Sequence, residues 1–157
     1  MKKKIALTLA LSALLSTQSQ ARIAIKKYKG DAVIVRQSNG KYSLIGTNHK
    51  PIITNAETIS KRDLGYFIVK KDLQTALINR EDKQVIPYGY DKITTTESPN
   101  LFIVKKQDQY GIVDLQNKLR YGMTSNHIED LEDHIDISDP TTGETIKKLD
   151  YQLREIK

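Results

Sequence analysis

The sequence FIVKK stands at residues 67–71 and again at residues 102–106, 35 residues later. Aligned without gaps, residues 67–86 and residues 102–121 have seven identical positions. In both copies a short polar turn and a second apolar run follow FIVKK, which is the pattern of two short antiparallel strands. A repeat of this period is typical of tandem architectures, in which one unit is too small to bury its apolar residues alone and packs against its neighbours.

The repeat extends over most of the chain. Isoleucines close three successive units at spacings of 34 and 35 residues: Ile59, Ile93 and Ile128. The units are approximately 32–59, 66–93 and 101–128, with a partial fourth unit at 134–157. They predict an all-β fold, a tandem antiparallel β-repeat meander of three units of about 35 residues plus a partial fourth. All of them belong to a single β-repeat domain, residues 22–157.

Only one stretch of the chain favours a helix. Asn126 and Glu129 have the spacing of a capping box. The apolar residues that would share one face of this helix are Ile128, Leu131 and Ile135. The sequence therefore predicts a short helix near 126–134. Residues 150–157 fit either a last strand or a short charged helix, and the sequence leaves both alternatives open.

The first residues have the layout of a secretory signal peptide. Three lysines at residues 2–4 precede an apolar run at residues 5–15, and small residues follow at Ser19 and Ala21. As a helix the apolar run would rise only about 16 Å, roughly half of a bilayer core. We expect residues 1–21 to be removed, the rest to be periplasmic or secreted, and no transmembrane segment to remain after cleavage.

The composition excludes several classes of protein. The chain has no cysteine, so it forms no disulfide and has no thiolate metal ligand or cysteine nucleophile. Its formal charge of +6 includes the three lysines of the predicted leader. Without them 22 basic residues face 19 acidic ones, which is too balanced for a nucleic-acid-binding surface. We therefore expect no nucleic-acid partner.

The sequence carries no motif for catalysis or metal binding. It lacks the glycine-rich phosphate loop and the serine motifs of hydrolases. Its neighbouring carboxylates lie in hydrophilic runs, whereas catalysis by two carboxylates needs one acid in an apolar setting. His127 and His134 flank acidic residues, but on a helix they would lie about 10 Å apart, too far for one zinc ion. We expect no enzyme activity, no cofactor and no metal.

Two stretches resemble a known repeat. KKQDQYGIVD at residues 105–114 resembles the core of the bacterial WG (KWG) repeat, which reads as lysine, an aromatic residue, glycine, two aliphatic residues and an acidic or amide residue. VIP at residues 85–87, leading to YDKI at residues 90–93, is similar to its closing half. The likeness covers about residues 32–128. It implies an antiparallel β-repeat fold and an interaction role rather than a reaction.

The chain also departs from this repeat. Tryptophan is absent, and Tyr42 and Tyr110 take its place. The second unit has Thr75 and Ala76 where the aromatic residue and glycine are expected. These units are therefore interpreted as degenerate copies of the repeat.

The lysines of FIVKK have two interpretations. Charged residues at strand ends discourage an exposed sheet edge from pairing with another chain, which is a structural role. One basic stripe per repeat would also suit an anionic polymer, but acidic residues follow within a few positions in each copy. The sequence favours protection of the edge.

The preferred hypothesis is an exported, non-enzymatic module that binds a protein or a cell-envelope component. Tyrosine supplies a rigid ring and a hydroxyl together, and it is favoured at interfaces. The candidate binding residues are Tyr42, Tyr66, Tyr88, Tyr90 and Tyr110. The alternative hypothesis is a module that binds a glycan or envelope polysaccharide and uses the same tyrosines as stacking platforms.

Overall fold

The computed structural model describes residues 32–81 and 83–157. The predicted signal peptide, residues 1–21, and the start of the mature chain lie outside these ranges. The described residues form fifteen strands and one short 3-10 turn at Asp63–Gly65. All of the strand pairs are antiparallel, which confirms the predicted all-β tandem meander.

The strands form four sheets, in which neighbours in the chain are also neighbours in the sheet. The first sheet contains β1 (Val33–Arg36), β2 (Tyr42–Ile45) and β3 (Pro51–Ala56). The second contains β4 (Thr58–Lys61), β5 (Tyr66–Lys71), β6 (Gln74–Asn79) and β7 (Gln84–Tyr90). The third contains β8 (Lys92–Thr95), β9 (Leu101–Lys106), β10 (Gln109–Asp114) and β11 (Leu119–Thr124). The fourth contains β12 (His127–Asp130), β13 (Ile135–Ser138), β14 (Thr145–Leu149) and β15 (Glu155–Ile156).

The sheets pack face to face in chain order, with one apolar core between each successive pair. Neighbouring residues of β5 belong to different cores, because Phe67 and Val69 face the first sheet and Ile68 faces the third. An inner strand that is buried on both faces needs consecutive apolar residues rather than alternation. This double burial explains why the repeated strand begins with Phe-Ile-Val.

The closing isoleucines lie in the first strand of the following sheet. Ile59 of β4 pairs with Val69, and Ile93 of β8 pairs with Val104. Ile128 has the same place in β12 of the fourth sheet. The sheets therefore begin one strand earlier than the units that are visible in the sequence.

The predicted helix near 126–134 is wrong. Strand β12 occupies this stretch, and its Ile128 pairs with Ile137 of β13 and is buried between the third and fourth sheets. Leu131, which a helix would turn toward the core, lies in the connecting turn and is exposed. Sheet pairing outweighs the local capping signal because it buries both isoleucines, whereas two turns of helix would have little stability alone.

A five-residue turn recurs after the third strand of the second, third and fourth sheets, that is, after β6, β10 and β14. The side-chain Oδ1 atoms of Asn79, Asp114 and Asp150 each accept hydrogen bonds from the backbone N–H groups two and four residues later, at 2.8–3.0 Å. The third of these turns leads into β15, so residues 150–157 contain a last strand and not a helix. The partial fourth unit is thus part of a complete four-stranded sheet.

The interpretation of the FIVKK lysines as edge protection is wrong. Strands β5 and β9 are both internal to their sheets and pair with a neighbour on each side. Lys70 and Lys105 therefore stand at the ends of inner strands, where there is no edge to protect. Both lysines instead belong to the surface between their own sheet and the following one.

Candidate binding site

Strand pairing places a basic residue and a tyrosine in one cross-strand row of each of the first three sheets. The rows are Arg36–Tyr42–Ala56, Thr58–Lys70–Thr75–Tyr90 and Lys92–Lys105–Tyr110–Thr124. They are called the basic–tyrosine rows below. The rows of the second and third sheets begin at the residue directly before the closing isoleucine, Thr58 and Lys92. Tyr42 and Tyr110 stand beside the basic residue at equivalent places, whereas Tyr90 stands one strand further along its row.

The basic–tyrosine rows face the following sheet. Lys70 comes directly after Val69, which faces the first sheet, and alternation along the strand turns Lys70 toward the third sheet. By the same argument Lys105 comes after Val104 and faces the fourth sheet. Each row therefore opens on the cleft between its own sheet and the next.

The cleft between the third and fourth sheets contains a groove of about 300 Å³. Lys92, Lys105 and Tyr110 line it from the third sheet. From the fourth sheet the lining includes His127 and Glu129. The basic–tyrosine row of the third sheet is thus one wall of a groove large enough for a small polar group.

Tyr110 is held in this groove by two contacts. The Lys105 Nζ atom lies over its ring, 5.4 Å from the ring centroid. The His127 ring packs against it edge to face, with a centroid distance of 5.0 Å and an interplanar angle of 79°. One face of the Tyr110 ring is therefore occupied by the Lys105 side chain.

Acidic groups of the fourth sheet and its connections form the opposite wall. The Tyr151 hydroxyl lies 2.7 Å from Asp130 Oδ1 and 2.9 Å from the Glu132 carbonyl oxygen. Asp130 Oδ2 accepts a hydrogen bond from the backbone N–H of Glu97. Burial, followed by the hydrogen bond to Asp130, raises the pKa of Tyr151, so its hydroxyl stays protonated as a donor. The Asp130 carboxylate is therefore held in place from both sides.

The basic residues of the rows are not neutralised by salt bridges. Across residues 32–81 and 83–157, no carboxylate forms a salt bridge with Arg36, Lys70, Lys92 or Lys105. Elsewhere in the same part of the chain basic side chains do find such partners, as in the 3.0 Å pair between Lys147 and Glu155. An outside partner can therefore contact these basic groups without displacing a salt bridge of the described residues.

The five candidate tyrosines do not form one surface. Tyr42, Tyr90 and Tyr110 belong to the three rows, whereas Tyr66 lies at the other end of β5 and pairs with Asn79. All five are half-buried. The structure therefore groups three of them and separates two.

Tyr88 differs most from the other candidates. It packs into the core between the first and second sheets. Its hydroxyl is buried and has no hydrogen-bond partner within the described residues. Burial, and then the nearby Asp72 carboxylate, raise the pKa of Tyr88. Its position is that of a core side chain.

Sequence reasoning did not select Arg36 or Lys92, and it considered His127 only as a zinc ligand. Lys92 and His127 directly precede the closing isoleucines of their strands, as Thr58 does in the second sheet. The repeat of about 35 residues therefore marked the position before each closing isoleucine as equivalent in the three sheets. That these residues share a groove with Tyr110 follows only from the pairing and packing of strands.

Two other places are less suited to a ligand. A cavity of about 590 Å³ is lined by Asp114, Arg120 and Tyr151 among others, but Arg120 is already 3.3 Å from the Asp114 carboxylate. His134 Nδ1 lies 2.5 Å from Asp133 Oδ1. Within the described ranges, no three histidine or carboxylate side chains are arranged to hold a metal ion. The groove beside Tyr110 is therefore the better candidate.

Comparisons with known proteins give no family for this chain, because no protein-family model matches it and no curated protein is significantly similar. The resemblance to the WG repeat therefore rests on its own residues at 85–93 and 105–114. In the part of the chain that the structure covers, no helix has the length and apolar character needed to cross a bilayer.

Proposed function

We propose that this protein is an exported, non-enzymatic binding module of the WG-repeat type. It contacts a protein or cell-envelope partner through the clefts that carry the basic–tyrosine rows. The observation that supports this proposal is the direct pairing of a basic residue with a tyrosine at equivalent register positions of the first and third sheets, Arg36 with Tyr42 and Lys105 with Tyr110. In the second sheet Lys70 pairs with Thr75, and Tyr90 stands on the other side of Thr75 in the same row. Packing alone does not require unpaired cations at these places, because Thr58 and Thr75 fill neighbouring positions of the same rows.

The stack spaces the rows for an extended partner. Packed sheets lie about 10 Å apart, so consecutive rows present similar groups at roughly this interval. A partner that spans two or more clefts gains from each contact, since linked sites act at high effective concentration. The proposed contact surface is therefore repetitive, and single substitutions in it should weaken binding by moderate factors.

The geometry at Tyr110 bears on the alternative of glycan stacking. A stacking platform needs a free ring face, and Lys105 lies over the ring of Tyr110. The arrangement favours hydrogen bonding and charge complementarity over ring-on-sugar stacking at this place. A glycan that carries charged groups remains within the class of envelope partners that we propose.

Binding of the mature chain, residues 22–157, to isolated cell-envelope fractions tests the proposal. Co-sedimentation should show saturable binding that weakens as salt is raised. The variants Arg36→Gln and Lys105→Gln should each weaken binding about two- to fivefold, because each loses one charge contact of up to about 1 kcal/mol. Lys83→Gln is the matched control, since Lys83 is exposed and lies outside the rows.

The outcome with the control decides the question. Equal weakening by Lys83→Gln would reduce the interaction to nonspecific attraction by net charge. Unchanged binding in both row variants would place the contact surface elsewhere and overturn the proposal. Circular dichroism of each variant establishes that the fold is intact.

A further inference from the structure

The most unusual electrostatic feature of the groove is a pair of lysines directly opposite each other. Lys92 of β8 and Lys105 of β9 are register partners in an antiparallel pair. Side chains at such positions have their Cβ atoms about 4.5–5.5 Å apart, and like charges placed there destabilise the sheet. At the equivalent position of the second sheet Lys70 pairs with Thr58, so the repeat does not require two lysines.

No carboxylate in the described ranges forms a salt bridge with Lys92 or Lys105, although four carboxylates line the same groove. The Lys105 ammonium group lies over the Tyr110 ring. An aromatic ring attracts a cation but leaves its net charge in place. The two lysines thus line the groove without a salt-bridge partner among the described residues.

We propose that Lys92, Lys105 and the Tyr110 hydroxyl form a binding site for a phosphate ester group. This inference rests on the proposed function and names the chemistry of its ligand. A phosphate monoester carries a charge of about −1.5 to −2 near pH 7 and has three strong acceptor oxygens. Two lysines match this charge as point donors, whereas a single carboxylate is more often gripped by the planar fork of arginine.

The rest of the groove limits which phosphates fit. Glu129, Asp130 and Glu132 line the wall that faces the lysines, and Glu97 stands at its end. These carboxylates oppose the attraction of the two lysines for any anion, so they limit the charge that the groove accepts and would repel a second anionic group next to the phosphate. His127 lies between the two walls, 3.9 Å from Glu129 and packed against Tyr110. The site therefore suits an isolated phosphate with neutral neighbours, such as a phosphorylated sugar or a lipid headgroup, and not a dense polyanion.

Thermal unfolding of the mature chain with simple probes tests the site. Inorganic phosphate and glucose 1-phosphate should raise the Tm of the wild type, whereas glucose and an equal ionic strength of chloride should not. In Lys92→Thr, which copies the pairing of the second sheet, the affinity for phosphate should fall about tenfold to a hundredfold. The same variant without ligand should have an unchanged or higher Tm, because the repulsion between the lysines is gone.

Vesicles distinguish the two sources of the phosphate. Binding to phosphatidylcholine vesicles only when they contain phosphatidic acid indicates a lipid headgroup, and binding to glucose 1-phosphate alone indicates a soluble or glycan phosphate. Lys83→Gln is again the control and should keep the full response. A Tm that phosphate does not change, or that phosphate raises equally in the wild type and Lys92→Thr, would overturn the site.

The two proposals fail in different ways. If Lys105→Gln weakens binding to envelope fractions while phosphate has no effect, the binding surface stands and the ligand chemistry is wrong. If phosphate binds through Lys92 while envelope binding is insensitive to Arg36→Gln and Lys105→Gln, the anion site stands and the proposed function is wrong.

Discussion

Truncation of two neighbouring core residues, Leu77 and Ile78, tests the stacked architecture most directly. Both side chains are fully buried, but Leu77 lies in the core between the second and third sheets and Ile78 in the core between the first and second. In a sheet with one solvent-facing side, one of two adjacent residues would be exposed and its truncation nearly neutral. In this stack both substitutions should be strongly destabilising.

The magnitude follows from burial. Leu77→Ala removes three carbons from the core, a transfer cost of about 2.4 kcal/mol, and the remaining cavity raises the expected loss to as much as about 5 kcal/mol. Ile78→Ala should lie in the same range. For a domain whose unfolding free energy is about 5–15 kcal/mol, either loss is a large fraction of the total.

Urea denaturation of residues 22–157, followed by circular dichroism, measures these losses. The matched control is Leu73→Ala, the same chemical change at a hairpin tip where the side chain is 74% exposed, and it should alter stability by less than about 0.5 kcal/mol. A loss below about 1 kcal/mol for either Leu77→Ala or Ile78→Ala would refute burial on both faces. A reduced m-value in one variant would show that the stack unfolds in parts rather than as one cooperative unit.

Two further predictions concern single hydrogen-bonding side chains. Asp114→Ala should destabilise the protein by about 1–3 kcal/mol at neutral pH, because the N–H groups of Gln116 and Lys118 lose their acceptor. Burial alone would raise the pKa of Asp114, but these two hydrogen bonds and Arg120 hold it below its usual value. The difference in unfolding free energy between wild type and variant should therefore be largest above about pH 4 and should shrink as the pH falls further. Urea titrations at several pH values measure this difference. A difference that grows in acid would contradict the assignment. Tyr151→Phe should lower the stability by about 1 kcal/mol and loosen the acidic wall, since Asp130 loses a half-buried donor, and an unchanged Tm would refute this role.

The sequence predicted the turns and the repeated strands because the residues that form each of them are close together in the chain. The turn at Asp114 depends on a side chain that bonds to backbone groups two and four residues away, so the residues that form it are close in the chain. The apolar run of β5 reflects burial on both faces, and its repetition in β9 made the period visible. These features account for the all-β prediction.

The prediction failed where a local signal competed with long-range pairing. Residues 126–134 have the spacing of a capped helix, but Ile128 pairs with Ile137 and closes the core against the third sheet. The lysines of FIVKK were placed at sheet edges because the sequence does not show that a further strand pairs with β5 and β9 on their outer sides. Both errors come from contacts between separate strands.

The sequence by itself determined the strands, the turns and the period, since each depends on residues within one unit. Only the tertiary structure decided which residues meet across strands and sheets. Lys92 and Lys105 stand 13 positions apart in the chain, and register alone makes them partners. Packing of the fourth sheet then brings His127 onto Tyr110 and completes the groove. Register and packing are set by apolar burial over the whole stack, so the candidate site appears only once the sheets are assembled.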